Sequence, residues 1–292
     1  MISRAIKIKE LVLNSALNVK NKIKHGTPDY PRCLALEVSL VCNRKCSYCP
    51  VSIDPKPKQE FVSDEVIQAF VEGLQSIDFD GKVDFIFYNE PLLHPRLENI
   101  VKQVSGACPA IRCVLYTNGD RLTYGRAESL IQSGIRKFVV SRHVPFSKEW
   151  DWRLNTLKTL FPKHIKIVRH RPWYNRGGLI KSLPGTNALS GAMSCTLPQN
   201  VHIDIKGNVL LCCNDYYRTV INGNIVASSF KSIWFSDRFA KLRRDLKNGS
   251  FTLPICKECV RPAAMPERVK VSEESGAFVN AIQPVKGLPA LS

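Results

Sequence analysis

Three thiols fall within eight residues in the run Cys42-Asn-Arg-Lys-Cys46-Ser-Tyr-Cys49. A structural zinc site asks for four protein ligands, whereas an iron–sulfur cluster held by three thiolates keeps one iron open to a substrate or cofactor. The zinc reading needs a fourth ligand nearby, for which His94 is the candidate. A second group, Cys195, Cys212, Cys256 and Cys259, supplies four thiols and closes a site by itself. The pair Cys256-Lys-Glu-Cys259 suits zinc and iron equally. Neighbouring strand residues point to opposite faces, so Cys212 and Cys213 cannot both face one centre. Cys33, Cys108 and Cys113 lie in or beside apolar segments and read as buried hydrophobes.

The elements that must position these groups alternate along the chain. Strand-like runs cover Cys33 to Val41, Val83 to Tyr88, Ile111 to Tyr116, Ile135 to Ser141 and Ile165 to Arg171. Helical patterns lie near 63–75, 96–105, 123–133 and 149–160. Such alternation predicts a parallel sheet with crossover helices. Ser63 followed by Asp64 and Glu65 marks a helix start, and Gly134 a helix stop. A sixth strand is expected between 178 and 200, without clear bounds. The first cysteine run lies just past a strand's carboxyl end, where loops gather and chemistry belongs. After about residue 190 the pattern becomes a hairpin, Val201 to Ile205 and Val209 to Cys213, joined by Lys206-Gly207-Asn208. A helix containing Trp234 follows. Residues 2–24 read as an amphipathic helix with Ile6, Leu13 and Leu17 among lysines, packed across the end of the sheet rather than on a membrane.

With 292 residues, 44% of them hydrophobic, the chain can bury one large α/β core and a small appendage. No run approaches the roughly 18 apolar residues of a membrane span, and charges interrupt the N-terminal segment where a signal peptide would be apolar. A cytoplasmic protein is expected. Its eleven cysteines then favour metal ligation over disulfides. The formal net charge of +17 fits an anionic substrate or partner without naming the anion.

The Cys-x3-Cys-x2-Cys run with Tyr48 before its third cysteine resembles the signature of the radical S-adenosylmethionine (radical SAM) superfamily. The resemblance implies a [4Fe–4S] cluster on Cys42, Cys46 and Cys49 whose open iron binds SAM. SAM is then cleaved to a 5′-deoxyadenosyl radical that takes hydrogen from a substrate. Phe87-Tyr88-Asn89-Glu90-Pro91 stands where the family has Gly-Gly-Glu-Pro, which makes Glu90 a partner of the SAM ammonium and places Asn89 beside it. Thr117-Asn118-Gly119 and Ser141-Arg142 look similar to family positions near the ribose and carboxylate. By the same resemblance Tyr48, Asn118, Ser141 and Arg142 are SAM contacts, Arg142 through the planar fork that suits a carboxylate. Cys195, Gly207-x4-Cys212 and Cys256-x2-Cys259 resemble the auxiliary-cluster domains called SPASM and, in shorter form, Twitch. They imply one auxiliary [4Fe–4S] cluster on Cys195, Cys212, Cys256 and Cys259. The implied fold is α/β: a partial (β/α)6 TIM-like barrel with a small C-terminal β-hairpin and helix domain that binds the cluster. Expected bounds are 1–32 for the lead-in helix, 33–190 for the core, 191–262 for the auxiliary domain and 263–292 for the tail. An electron donor such as flavodoxin or ferredoxin is implied as a partner.

Between Arg136 and Lys181 there are twelve Lys or Arg residues against two acids, Glu149 and Asp151. Arg169, His170, Arg171, Tyr174, Asn175 and Arg176 sit at or past a strand end, where some could line a substrate cavity. Enzymes of the short form include the aminocyclitol dehydrogenases of aminoglycoside biosynthesis, while larger relatives modify peptides. About thirty residues precede the first strand, too few for a leader-recognition domain. The expected substrate is therefore a small polar metabolite of aminosugar, cyclitol or nucleotide-sugar type. The expected outcome is oxidation to a ketone, with Asp215 or His170 as base. If Cys213 returns a hydrogen atom, as in radical epimerases, the outcome is inversion. Modification of a peptide or of RNA, and a zinc module binding nucleic acid, are the alternatives. No aromatic-rich nucleic-acid motif supports the last two.

Overall fold

In the computed structural model, residues 15–55, 60–143, 146–169, 174–180 and 189–261 are described. Five strands follow one another in sequence order: β1 (Cys33–Leu36), β2 (Lys82–Asp84), β3 (Arg112–Thr117), β4 (Ile135–Arg142) and β5 (Ile165–Arg169). All are parallel to their neighbours. Helices α3 (Asp64–Ser76), α4 (Leu97–Ala107), α5 (Tyr124–Ser133) and α6 (Lys148–Leu160) make the crossovers. Three of them, α3, α5 and α6, start where a side chain caps them. Ser63, Thr123 and Ser147 accept from the N–H three residues on, and Gly134 ends α5 at φ 121°. Helix α1 covers residues 15–25, the earlier part of the helix expected over 2–24 lying outside the described residues, and α2 (Pro50–Ile53) follows the first cysteine loop. Lys20 and Lys24 of α1 reach Asp80, ahead of β2, at 2.9 and 3.1 Å, so α1 is tied to the loop that enters the sheet.

The sixth parallel strand is β6 (Asn200–Ile203), and it pairs with β1 rather than beyond β5. The window 178–200 for a sixth strand contains residues outside the described ones, and β6 begins at its end, in residues that the sequence assigns to one arm of a separate hairpin. The hairpin exists, since β7 (Asn208–Leu210) runs antiparallel to β6 and β8 (Ile221–Asn224) antiparallel to β7. Its first arm, however, continues the main sheet. The result is one open eight-stranded sheet, ordered β5-β4-β3-β2-β1-β6-β7-β8, an incomplete barrel. Local turn chemistry at Gly207 (φ 82°) dominates a sequence reading, whereas the β1 to β6 pairing joins residues far apart in the chain. Then come α7 (Phe230–Trp234), α8 (Asp237–Lys247) and α9 (Pro254–Val260).

One core runs through the whole sheet. Leu34 and Leu36 of β1, Val83 of β2, Leu115 of β3, Val140 of β4 and Val201 of β6 are buried in it with Phe70, Phe79, Phe138 and Trp234. A smaller cluster, built on Leu211, Cys212 and Leu246, underlies the second cysteine group. Among the described residues, no helix is long and apolar enough to cross a membrane. His170 and the tail over 263–292 lie outside the described residues.

Candidate active site

β2 is shorter than its apolar run suggests because Asn89 stops it. The Asn89 side-chain oxygen accepts from the Phe87 N–H at 2.9 Å, while its amide nitrogen donates to the Phe85 carbonyl at 3.3 Å. This bend delivers Glu90 to the carboxyl end of the sheet with φ −107°, and neither Tyr88 nor Asn89 adopts a positive φ. The lost glycines of this motif are thus replaced by a side-chain turn, which needs no left-handed backbone.

The strand ends open into a cavity of about 460 Å³, in the range of small-molecule sites. Cys42, Cys46 and Cys49 line it together with Tyr48, Asn89, Glu90, Asn118 and Ser141. The three thiols are brought round by a loop in which the Cys49 N–H closes on the Cys46 carbonyl at 2.9 Å. Cys49 then caps α2, whose first residue is Pro50, a favoured place for proline. Glu90 is 2% exposed. Its carboxylate accepts from Thr117 Oγ1 at 2.6 Å, the Asn118 N–H at 2.7 Å and the Leu92 N–H at 3.2 Å. Burial nevertheless pushes this carboxyl up to about 7, because the three hydrogen bonds only partly replace water. Asn118 also donates to Asn43 at 2.9 Å, which fastens the cysteine loop to the end of β3.

Arg142 departs from expectation. It is not among the described residues lining the cavity. Its guanidinium pairs with Asp151 at 2.5 Å and lies 3.8 Å over the Phe146 ring, on the α6 side of β4. An acid one turn into α6 outcompetes the cavity for it. Asp215 is likewise withdrawn as a base. Its two carboxylate oxygens accept from the Thr219 N–H (2.8 Å), Thr219 Oγ1 (2.9 Å) and the Val220 N–H (2.9 Å), so it holds a turn. Cys213 does not line the cavity among the described residues, and its carbonyl accepts the Tyr88 hydroxyl at 2.7 Å. His94, the candidate fourth zinc ligand, sits apart with Nδ1 accepting from the Arg96 N–H at 3.1 Å, and burial lowers its ring to about 4.

Three more residues line the cavity: Arg176, named from sequence for its place past a strand end, Tyr88 of the Glu90 motif, and Tyr116, which carries no sequence signal of its own. Tyr116 lines the cavity while Lys82 donates to its hydroxyl oxygen at 3.2 Å, and Lys82 is held by Asp84 at 2.9 Å. Arg176 lines it from the segment after β5, with its guanidinium near the Tyr88 and Tyr174 rings. Tyr88 closes that side. Only its position at the end of β3 could have singled out Tyr116.

Cys195, Cys212, Cys256 and Cys259 line a second cavity, walled by Leu197, Leu211, Leu246 and Phe251. Burial raises the Cys256 thiol to about 12 and the Cys259 thiol to about 11, so ligation here would release protons. Among the described residues, no three His, Cys, Asp or Glu side chains converge tightly enough for a single metal ion. Three thiols round one cavity and four round another fit polynuclear clusters better than a lone zinc ion, whose ligands must meet at one point.

Comparison with known proteins matches this geometry. The radical SAM superfamily model matches residues 36–168, and the model of the iron–sulfur cluster-binding domain SPASM matches residues 195–260. The S-adenosyl-L-methionine-dependent 2-deoxy-scyllo-inosamine dehydrogenase of Niallia circulans is 33% identical over 234 residues, covering 77% of this chain and 91% of that protein. The crystal structure of BtrN in complex with AdoMet and 2-DOIA is similar with a TM-score of 0.72 at 32% identity, over 78% of this chain and 92% of that one. Native anSMEcpe with bound AdoMet shares the fold, with a TM-score of 0.51 at 16% identity over 72% of this chain and 83% of that one.

Proposed function

Because the chain belongs to the radical SAM superfamily and carries a SPASM-type iron–sulfur domain behind the core, we propose that it oxidises a hydroxyl-bearing carbon of a small aminocyclitol-type metabolite to a ketone. It is a radical SAM enzyme with a SAM-binding [4Fe–4S] cluster and an auxiliary cluster. When bound, these groups supply a hydrogen-abstracting radical at the first cluster and one-electron transfer at the second. In this reading Cys42, Cys46 and Cys49 hold the first cluster, and Cys195, Cys212, Cys256 and Cys259 the second.

The observation that carries the reading is the likeness to an aminocyclitol dehydrogenase across 91% of that protein. The geometry supports it in three ways. Glu90, bonded to the Asn118 N–H and sharing the cavity wall with Ser141, would take the ammonium end of SAM. Tyr116, whose oxygen already accepts from Lys82, keeps its own proton for a substrate oxygen. Arg176 faces the same space and suits a second oxygen. An acidic one-electron carrier such as flavodoxin or ferredoxin is the proposed reductant, drawn by the net charge of +17.

The test is anaerobic incubation of the reconstituted enzyme with SAM, reductant and 2-deoxy-scyllo-inosamine or related cyclitols. Ketone and 5′-deoxyadenosine are expected in equal amounts. Inversion without ketone, with solvent deuterium in the product, would refute oxidation.

A further inference from the structure

Arg176 faces the active-site cavity, yet the residue after it touches the second group of thiols. The segment 174–180 turns through three successive left-handed residues, Arg176 (φ 53°), Gly177 (φ 65°) and Gly178 (φ 92°). It is pressed against α9, which bears Cys256 and Cys259. Asn175 donates to the Glu258 carbonyl at 2.9 Å, and a Cβ on Gly177 would lie 2.7 Å from Ile255 Cγ1.

Two donors meet on Cys259 as a result. The Gly177 N–H is one. The other is Asn214 Nδ2, at 3.3 Å from Sγ, on a side chain only 1% exposed. The opposite end of that amide, Oδ1, faces Arg176 Nη1 at 3.5 Å. A guanidinium only donates, so it holds the oxygen end of the amide and turns the NH2 end toward sulfur. Among the described residues, no carboxylate pairs with Arg176, whose other neighbours are the Tyr88 and Tyr174 rings and the Cys49 and Cys213 thiols, Cys213 Sγ also lying 4.0 Å from Asn214 Oδ1. Cation, amide and thiol thus form a chain from the substrate cavity to the auxiliary site.

We propose that Arg176 and Asn214 are positioning residues that raise the reduction potential of the auxiliary cluster, by holding two N–H groups on the Cys259 sulfur. The proposal rests on Cys259 being a ligand of that cluster. Hydrogen bonds to cluster sulfurs and nearby charge are recognised levers on the potential. An N–H on a thiolate favours the reduced state, which carries one more negative charge. That bias suits a cluster meant to accept an electron from a substrate carbon.

The test is an EPR-monitored redox titration of the full chain, reconstituted in a C42A/C46A/C49A background so that only the auxiliary signal remains. Asn214→Leu is expected to make reduction about tenfold less favourable, about 59 mV for one electron, with iron content unchanged. Arg176→Met should move the potential the same way, and Arg176→Lys should recover part of the shift. Should Asn214→Leu lose iron, the Arg176 pair decides. Potentials equal to the parent's in iron-replete Asn214→Leu or Arg176→Met would overturn the proposal. Cys259→Ala separates the underlying reading: retention of the parent signal there would show that Cys259 is no ligand, and the proposal would fall with it.

Discussion

In the proposed role of holding the SAM ammonium, Glu90 must be charged, yet burial pushes its carboxyl up to about 7. The folded protein without SAM therefore holds a proton on Glu90 that the unfolded chain has released, from the ordinary carboxylate range up to about 7. Over that window its stability falls as pH rises, and SAM reverses the effect by pairing the charge. SAM affinity should accordingly strengthen between about pH 6 and pH 8, by up to about tenfold, and Glu90→Gln should be weaker and flat over the same range. Equilibrium dialysis with labelled SAM checks both. Tyr116 has a different signature. Removing its hydroxyl in Tyr116→Phe removes one substrate hydrogen bond of about 1 kcal/mol, so KM for the cyclitol should rise about fivefold while substrate-free SAM cleavage stays as in the parent. Residues of these two kinds differ in legibility. The thiols and Glu90 announce themselves by short-range spacing, whereas Arg142 and Arg176 look alike in sequence. Their roles are decided by whether an acid such as Asp151 lies within reach, and that is a tertiary fact.

At the level of elements, the turn Thr117-Asn118-Gly119 joins β3 to the site. Gly119 has φ 77°, and a Cβ there would lie 2.7 Å from Val140 Cγ1 and 2.8 Å from Leu154 Cδ1. Asn118, beside it, supplies the N–H that Glu90 accepts. Gly119→Ala should therefore cost about 1–3 kcal/mol through the left-handed backbone and the overpacking together. A lowered thermal midpoint and weaker SAM binding would be seen in the same variant; an unchanged midpoint would mean that the turn relaxes freely. The start of α3 and the end of α5 are readable because Ser63 and Gly134 act on their own neighbours, whereas the caps Thr123 and Ser147 of α5 and α6 emerge only in the structure. Strand ends were less so. β2 stops at Asp84 because Asn89 folds back on Phe85 and Phe87, a contact that apolar periodicity does not register. The membership of β6 in the main sheet is not legible because its parallel partner β1 lies far away in the chain.

Across the whole molecule, Arg218 ties the segment after Cys212 to the barrel. Its guanidinium pairs with Glu37, just past β1, at 2.6 Å and with Asp204 at 3.0 Å. Asp204 keeps further donors, the Lys206 and Asn208 N–H groups at 2.9 Å and Asn208 Nδ2 at 3.0 Å. Glu37 has a fully buried side chain, at which the Tyr88 backbone N–H is also directed. Burial already raises its carboxyl, against the pull of Arg218. Arg218→Met therefore leaves a buried charge unpaired and should destabilise the protein by about 3–5 kcal/mol. Glu37 then escapes by taking up a proton that the unfolded chain has released, so the penalty should shrink as pH falls from neutral toward the ordinary carboxylate range. A Glu37→Met/Arg218→Met pair removes both charges and should regain most of the loss, since an apolar pair of similar volume replaces a buried ion pair at little cost. Urea unfolding of the anaerobic, cluster-loaded enzyme at two pH values measures all three variants. A single variant no less stable than the parent at neutral pH would show that the auxiliary segment is held on the barrel by the shared core around Trp234 and Phe239 alone.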